Sequence, residues 1–216
     1  MMQFINRYGA EIIRRASEHL YLVTVAIFIA IIVGMPLGIL ATRKPKLKKP
    51  ILGFANIMQT IPSLALFGLL IPVPVVGGIG DRTAIIALTL YSLLPIIRNT
   101  YTGIVGVDPA ITEAGRGMGM TDMQLLWQVE IPLALGVILA GVRVAAVIAI
   151  GLATIAAAIG AGGLGVFIFR GVATVNNQLL LAGAIPAALM ALAADFGLGF
   201  VEARLSKSTL KTINEE

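Results

Sequence analysis

Five long apolar runs constrain this chain more than any other feature. Leu20–Ala41 and Ile51–Pro72 carry no charge at all. Thr83–Val105, Pro132–Ala158 and Gln178–Val201 follow, interrupted only by Arg98, Arg143 and Asp195. A helix needs about 20 mostly apolar residues to cross the hydrocarbon core of a bilayer. Each run meets that length, so the expected fold is all-α and polytopic, with five transmembrane helices. Composition points the same way: 58% hydrophobic, 12% charged, mean hydropathy +0.95. An ordinary soluble domain is about 45–50% apolar and about 25% charged. So few charges cannot cover a water-facing surface, which excludes a typical soluble enzyme, and disorder requires far lower hydrophobicity. The absence of cysteine rules out a disulfide scaffold. The 24 glycines suit close helix packing in lipid. The spans leave no room for a second, soluble domain.

Orientation follows from Lys and Arg in short loops. The first loop, Thr42–Lys49, holds five basic residues and no acid, so it belongs in the cytoplasm. Five spans then put the N-terminus outside and the C-terminus inside a bacterial or archaeal cell membrane. Of the 16 Lys and Arg, ten fall inside, five outside and one, Arg143, within a span. The net charge of +5 is read as this bias, not as a nucleic-acid surface. The division is residues 1–19 as an N-terminal segment, 20–205 as the membrane domain and 206–216 as a cytoplasmic tail. The N-terminal segment is not a signal peptide, because the apolar run behind it is too long and ends in a basic stop. Ile5, Tyr8, Ile12, Ala16 and Leu20 form one stripe, and Arg7, Glu11, Arg14 and Glu18 another. That pattern predicts an amphipathic helix in the lipid interface plane, orienting the first span.

The segment between spans three and four is helical rather than random. Asp108-Pro109 places a capping residue before a proline at the first helical position. Gly115, Gly117 and Gly119 then break the helix. Thr121 and Gln124, at capping-box spacing, start a second short helix across the membrane surface, and Pro132 opens span four. Within this segment, Glu113-Ala114-Gly115, three residues, Gly119, nine residues and Val129-Glu130-Ile131-Pro132 resemble the EAA motif of ABC-importer permeases. Gly115, Val129 and Ile131 depart from the family pattern by small or apolar exchanges. Gln59–Ser63, Tyr91–Tyr101, Gly117–Thr121 and Ile159–Gly165 are similar to the glycine betaine/carnitine/choline branch of the type I importers. The likeness runs from about Leu20 to Leu205.

The resemblance implies a permease that receives force from a separate ATP-binding cassette ATPase. This chain has no Gly-x4-Gly-Lys-Ser/Thr loop, so ATP and Mg are expected in that partner, and no cofactor, metal or catalytic residue here. The loop 108–131 is expected to couple the two subunits through Glu113, Ala114, Gly115, Gly119 and Met120. Ala114 and Gly119 would allow close helix approach, and Glu113 would offer a charge or cap the helix. A second permease copy or close relative, an extracytoplasmic binding protein and membrane lipid are the other expected partners.

Polar groups within spans usually face the bundle interior. Gln59, Thr60, Ser63, Tyr91 and Asn99, with Ser92, are therefore candidates for the translocation path. Pro62 and Pro95 would free carbonyls to line a cavity, and interhelical hydrogen bonding is the competing reading for Thr60 and Ser92. Arg98, Arg143 and Asp195 read as a structural ion pair or as snorkelling side chains. His19 reads as an interfacial residue without partners. Gly160–Gly165 and Val166–Gly171 fall outside, as a gate, a contact for the binding protein or a plain loop. A quaternary ammonium is read by an aromatic cage. Phe28, Phe54, Phe67 and Tyr91 are too scattered to form one, so selectivity is expected in the binding protein. Alternatives are a permease for methionine, a sulfonate or nitrate, and an ATPase-docking scaffold that moves no solute. A secondary transporter or channel would leave the EAA segment unexplained.

Overall fold

The computed structural model describes the backbone of residues 2–74 and 77–214, and side chains from residue 8 to residue 205 within those limits. The side chains of Ile5, Arg7, Lys207 and Lys211 lie outside the described residues. In chain order the helices are α1 (Met2–Arg43), α2 (Pro45–Thr60), α3 (Ser63–Leu70), α4 (Asp81–Val105) and α5 (Pro109–Gly117). Then come α6 (Asp122–Leu125), a π-helical turn (Leu126–Glu130), α7 (Ile131–Ala156), α8 (Gly165–Ala173) and α9 (Asn177–Asn214). Four helical stretches are long and apolar enough to cross a membrane, and five if α2 and α3 make one bent span.

The N-terminal segment differs from its sequence reading. It is the first part of α1, continuous with span one, and not a separate helix in the interface plane. Nothing between Glu11 and Leu20 breaks a helix: there is no proline or glycine there. Part of its apolar stripe is covered by protein, since Tyr8 and Ile12 pack on the cluster of Phe167, Leu179 and Ala182, while Leu20 is exposed. The rings of Tyr8 and Phe167 meet edge to face at 6.2 Å.

Span two is also not the straight helix its apolar run suggests. α2 and α3 meet at a bend of 102°. Ile61 and Pro62 sit at φ −69°, ψ 130° and φ −56°, ψ 133°. The proline ring drives the residue before it out of the helical region, and so splits the span. The Tyr91 hydroxyl of α4 donates to the Ile61 carbonyl at this break, a carbonyl that lipid could not satisfy.

The second short helix of the 108–131 segment does not run separately across the surface either. α6 passes through the π turn directly into α7, and the stretch Asp122–Ile159 is one long span. The Ile131 amide donates to the Leu126 carbonyl, five residues back. Pro132 has no amide to donate, and its ring would collide with the carbonyl four residues earlier; widening this turn accommodates it.

At the centre lies α4, buried over most of its length between α1 and α7. Small residues set the approach, as membrane packing favours. A Cβ on Gly38 of α1 would come 2.6 Å from the Thr100 Cβ, and one on Gly141 of α7 would come 2.5 Å from the Asn99 Cβ. The largest core cluster joins Leu22, Phe67, Leu88, Tyr91 and Ala149 from α1, α3, α4 and α7.

Candidate coupling surface and translocation path

The Asp108 side chain accepts the Ala110 amide at 2.9 Å, and Pro109 follows as the first helical residue. α5 then presents Glu113, Ala114 and Arg116 to the outside, with Ile111 and Met118 also exposed. Gly115 alone of this helix is buried. A Cβ on Gly115 would lie 2.8 Å from Leu125 Cδ1 and 3.2 Å from Met120 Sδ, so the departure from alanine here lets α5 seat against α6. The helix is closed by amides of Met118, Gly119 and Met120 donating back to Ala114, Arg116 and Gly115.

Within this chain Gly119 serves the turn and not a helix contact. Its φ is +84°, and a Cβ there would touch nothing within 4 Å. It reverses the chain in a left-handed conformation that side chains disfavour. Thr121 then caps α6, and the expected capping box is present in both directions with Gln124. The five residues named for coupling are thus brought into one compact motif: Glu113 and Ala114 on its outer face, Gly115 and Met120 at its seam, Gly119 at its turn.

The motif is anchored by an ion pair between distant residues. Arg43, at the end of α1, donates to Glu130 through both terminal nitrogens, with Nη1 to Oε1 at 3.1 Å and Nη2 to Oε2. Glu130 is buried, so the motif's end is tied to the basic end of span one. Each charge is legible in the sequence, but no spacing connects residues 43 and 130.

The expected path residues fall into two groups. Gln59, Thr60 and Ser63 flank the break in span two, and Tyr91 reaches the same place through Ile61. Asn99 lies two turns further along α4, against Gly141. Thr60, Ser92 and Asn99 bond carbonyls of their own helices at 2.8 Å, those of Ile57, Leu88 and Pro95. Gln59 and Ser63 make no side-chain hydrogen bond among the described residues. The hydrogen bonds of Thr60 and Ser92 are therefore not interhelical; Thr89, bonding the Ala26 carbonyl at 3.3 Å as well as Ile85, is the hydroxyl that crosses to α1.

Arg143 does form the anticipated pair with Asp195, at 3.2 Å, and adds Glu202 at 3.3 Å. Glu202 was legible in principle, seven residues after Asp195 and so on the same helix face. Arg98 is exposed.

At the opposite end the glycine-rich run is ordered rather than a plain loop, and Gly165–Ala173 is helix α8. The Gly163 amide donates to Glu18 Oε2 at 3.1 Å, and the Gly80 amide donates to the Ile159 carbonyl at 2.9 Å. Glu18 pairs with Arg15 at 2.8 Å, and Glu11 pairs with Arg170 at 3.3 Å. His19 is not an interfacial residue without partners. It is fully buried and its Nε2 donates to the Ile150 carbonyl at 3.0 Å. No heptad or motif flags it; only the packing of α1 on α7 does.

The chain has relatives among known proteins. The profile of the family described as binding-protein-dependent transport system inner membrane component matches residues 34–207. The carnitine transport permease protein OpuCB of Listeria monocytogenes is 44% identical over 215 residues, covering 100% of this chain and 97% of that protein. The glycine betaine/carnitine/choline transport system permease protein OpuCB of Bacillus subtilis is 42% identical over 215 residues, covering 100% and 98%. The osmoprotectant import permease protein OsmW of Salmonella typhimurium is 50% identical over 181 residues, covering 83% and 84%. Among solved structures, an inward-facing MetNI methionine ABC transporter chain superposes with TM-score 0.74 at 28% identity, covering 87% of this chain and 94% of that one. An exposed helical motif, four or five stretches apolar and long enough to cross a membrane and a family match over most of the chain lead to one conclusion: the protein is a multi-pass permease subunit of an ABC importer, a member of the binding-protein-dependent transport system inner membrane component family.

Proposed function

We propose that this permease moves small quaternary ammonium osmoprotectants of the glycine betaine, carnitine and choline class. The observation that carries the substrate class is end-to-end similarity, above 40% identity, to permeases named for those solutes. The methionine transporter shares the fold at lower identity, which favours the osmoprotectant reading over a methionine permease.

Coupling runs through α5. Glu113 and Ala114 face outward with no partner among the described residues, and a partner ATPase groove is their natural destination. ATP and Mg reside in that ATPase, and two permease copies or close relatives frame one path. The basic end, with Arg43–Lys49 and α5, faces the cytoplasm, and the Glu11–Glu18 end faces outward, toward a binding protein.

The pore itself is weakly selective. Phe67 and Tyr91 are buried while Phe28 and Phe54 are exposed, so these rings form no cage. Tight ligand sites need convergent groups in a closed pocket, and a tight site in a pore would also slow release. Calorimetry on the purified permease should therefore detect no micromolar betaine site.

The deciding experiment is reconstitution of the permease with its ATPase and binding protein in vesicles. ATP-dependent uptake of labelled betaine, carnitine or choline is expected. Uptake of methionine or a sulfonate in their place would overturn the substrate class, and an assembled complex that moves none of them would make the chain a scaffold. Orientation is tested separately with single cysteines, since the chain has none. An impermeant thiol reagent on intact cells should label a cysteine at Asp81 and spare one at Lys46; the reverse pattern inverts the topology.

A further inference from the structure

A groove of about 740 Å³ opens between the last turns of α1 and the start of the α6–α7 span. Its walls include Ile32, Met35, Ile39, Leu126, Trp127 and Ile131, and its ionisable lining residues are Arg43 and Asp122. It runs from Ile31 to Arg43 along α1. Twelve residue steps of helix cover about 18 Å, close to the hydrocarbon depth of one leaflet of a core about 30 Å thick. The apolar walls therefore lie at acyl-chain depth and the charged rim at headgroup depth. Trp127, 60% exposed with its indole N–H bonded to Met123 Sδ at 3.1 Å, sits where aromatic rings favour the interface.

Beyond Arg43 the chain continues into a cationic run, Lys44–Lys49, next to the groove in sequence and outside its lining. Arg43 is already engaged by Glu130, and Lys48 lies over the Tyr101 ring at 4.5 Å. Lys44, Lys46 and Lys49 are exposed, and none has an ion-pair partner among the described residues. The other end of α1 is different: Arg14, Arg15 and Arg170 all have carboxylate partners. Asp122, the acid on the groove's rim, stands in the first turn of α6, where the helix N-terminus compensates part of its charge. Free lysines beside an apolar slot one leaflet deep match an anionic headgroup with its acyl chain.

We propose that this groove is a binding site for an anionic phospholipid. An acyl chain lies along Met35 and Ile39 against Trp127, and Lys44, Lys46 and Lys49 hold the phosphate. The site does not depend on which solute is carried or on which way the chain faces. Three juxtamembrane lysines favour anionic over zwitterionic lipid by about fivefold each at most.

Trp127 is the single tryptophan of the chain and lines the groove, so it reports on the occupant directly. The test uses the full-length permease in phosphatidylcholine vesicles, titrated with phosphatidylglycerol or phosphatidylcholine brominated on the acyl chains. Brominated phosphatidylglycerol should half-quench Trp127 at a mole fraction about fivefold or more below that of brominated phosphatidylcholine. The variant K44Q/K46Q/K49Q should bring the two curves together, and K44R/K46R/K49R should keep them apart. Equal quenching of the native chain by both lipids overturns the proposal, as does a preference that survives in the glutamine variant. Quenching by neither lipid also overturns it, because a second copy or another protein surface then covers the groove.

Discussion

The α4 span and the α5 helix both carry a high share of polar side chains, and they dispose of them in opposite ways. In α4, Thr89, Ser92, Asn99 and Thr102 each bond a carbonyl of their own helix, and Tyr91 bonds the carbonyl exposed by the break in span two, the buried Thr100 hydroxyl being the exception without a partner among the described residues. In α5, Asp108 and Thr112 are used locally, while Glu113 and Arg116 point outward with no bond among the described residues. The difference is one of solvent. Within a bilayer no water satisfies a polar group, so the fold must do it. At the surface an unbonded side chain costs nothing and stays free for a partner. A polar residue in a span is therefore weak evidence of a path, whereas a free one on a short surface helix is stronger evidence of an interface. By this measure Gln59 and Ser63, without side-chain hydrogen bonds, outrank Tyr91 and Asn99 as residues a solute would meet.

The largest stability effect should come from the anchor that holds the two regions in register. Arg43→Ala leaves the Glu130 carboxylate buried without its partner. Breaking such a pair costs about 3 kcal/mol or more, whereas replacing both members with apolar residues is often neutral. Thermal unfolding in detergent should show a large loss for Arg43→Ala and substantial recovery for Arg43→Met with Glu130→Leu. A single variant as stable as the native chain would mean that Arg43 does not anchor the motif.

Gly119 comes next. With φ at +84°, Gly119→Val should cost about 1–2 kcal/mol from backbone strain alone, while Gly119→Asn, which tolerates that conformation, should cost much less. Because a Cβ at Gly119 meets nothing in this chain, uptake lost by Gly119→Asn without loss of stability would locate the ATPase directly against the turn. Equal stability of the valine and asparagine variants would contradict the strain argument.

How much of this was legible in the sequence follows from the same physics. The apolar runs located every stretch long and apolar enough to cross a membrane, because hydrophobic length is a one-dimensional property. The capping box at Thr121 and the cap at Asp108 were legible because capping is local. What escaped needed the third dimension. The bend at Pro62 was foreseeable as an interruption but not as a 102° turn. The continuity of α1 was obscured by its charged stripe, which looked solvent-facing until Glu11 and Glu18 found partners on α8 and in the glycine run. His19 and the Arg43–Glu130 pair join residues 131 and 87 positions apart, and no single-sequence period reaches that far. The EAA spacing located an exposed helical motif, but not the division of labour between Gly115, which packs, and Gly119, which turns.

A smaller effect separates structure from path within the spans. Tyr91→Phe removes the hydroxyl that satisfies the Ile61 carbonyl. The expected cost is about 1 kcal/mol, the net worth of one hydrogen bond whose partner is left unsatisfied. Gln59→Ala should leave stability within about 0.5 kcal/mol yet lower the turnover of ATP-driven uptake. Turnover impaired by Tyr91→Phe but untouched by Gln59→Ala would reverse the ranking of path residues argued above.

The smallest expected stability effect is on α5, and its smallness gives it force. Ala114→Trp and Glu113→Gln alter side chains that are exposed and make no contact the fold depends on. Surface changes of this kind usually stay within about 0.5 kcal/mol, so unfolding and membrane insertion should match the native protein. A tryptophan on Ala114 nevertheless fills the space a docking groove would occupy, and Glu113→Gln removes a charge while keeping its shape. The first should abolish assembly with the ATPase, and the second should weaken it in a manner that added salt mimics for the native complex, since exposed charge pairs are screened. Co-purification and uptake measured on the same preparations separate the outcomes. Normal assembly with Ala114→Trp would remove α5 as the docking helix, whatever its motif resembles. Lost assembly together with lost stability would show instead that the outer face of α5 is needed by the fold, and the contrast with α4 would fail at its most exposed point.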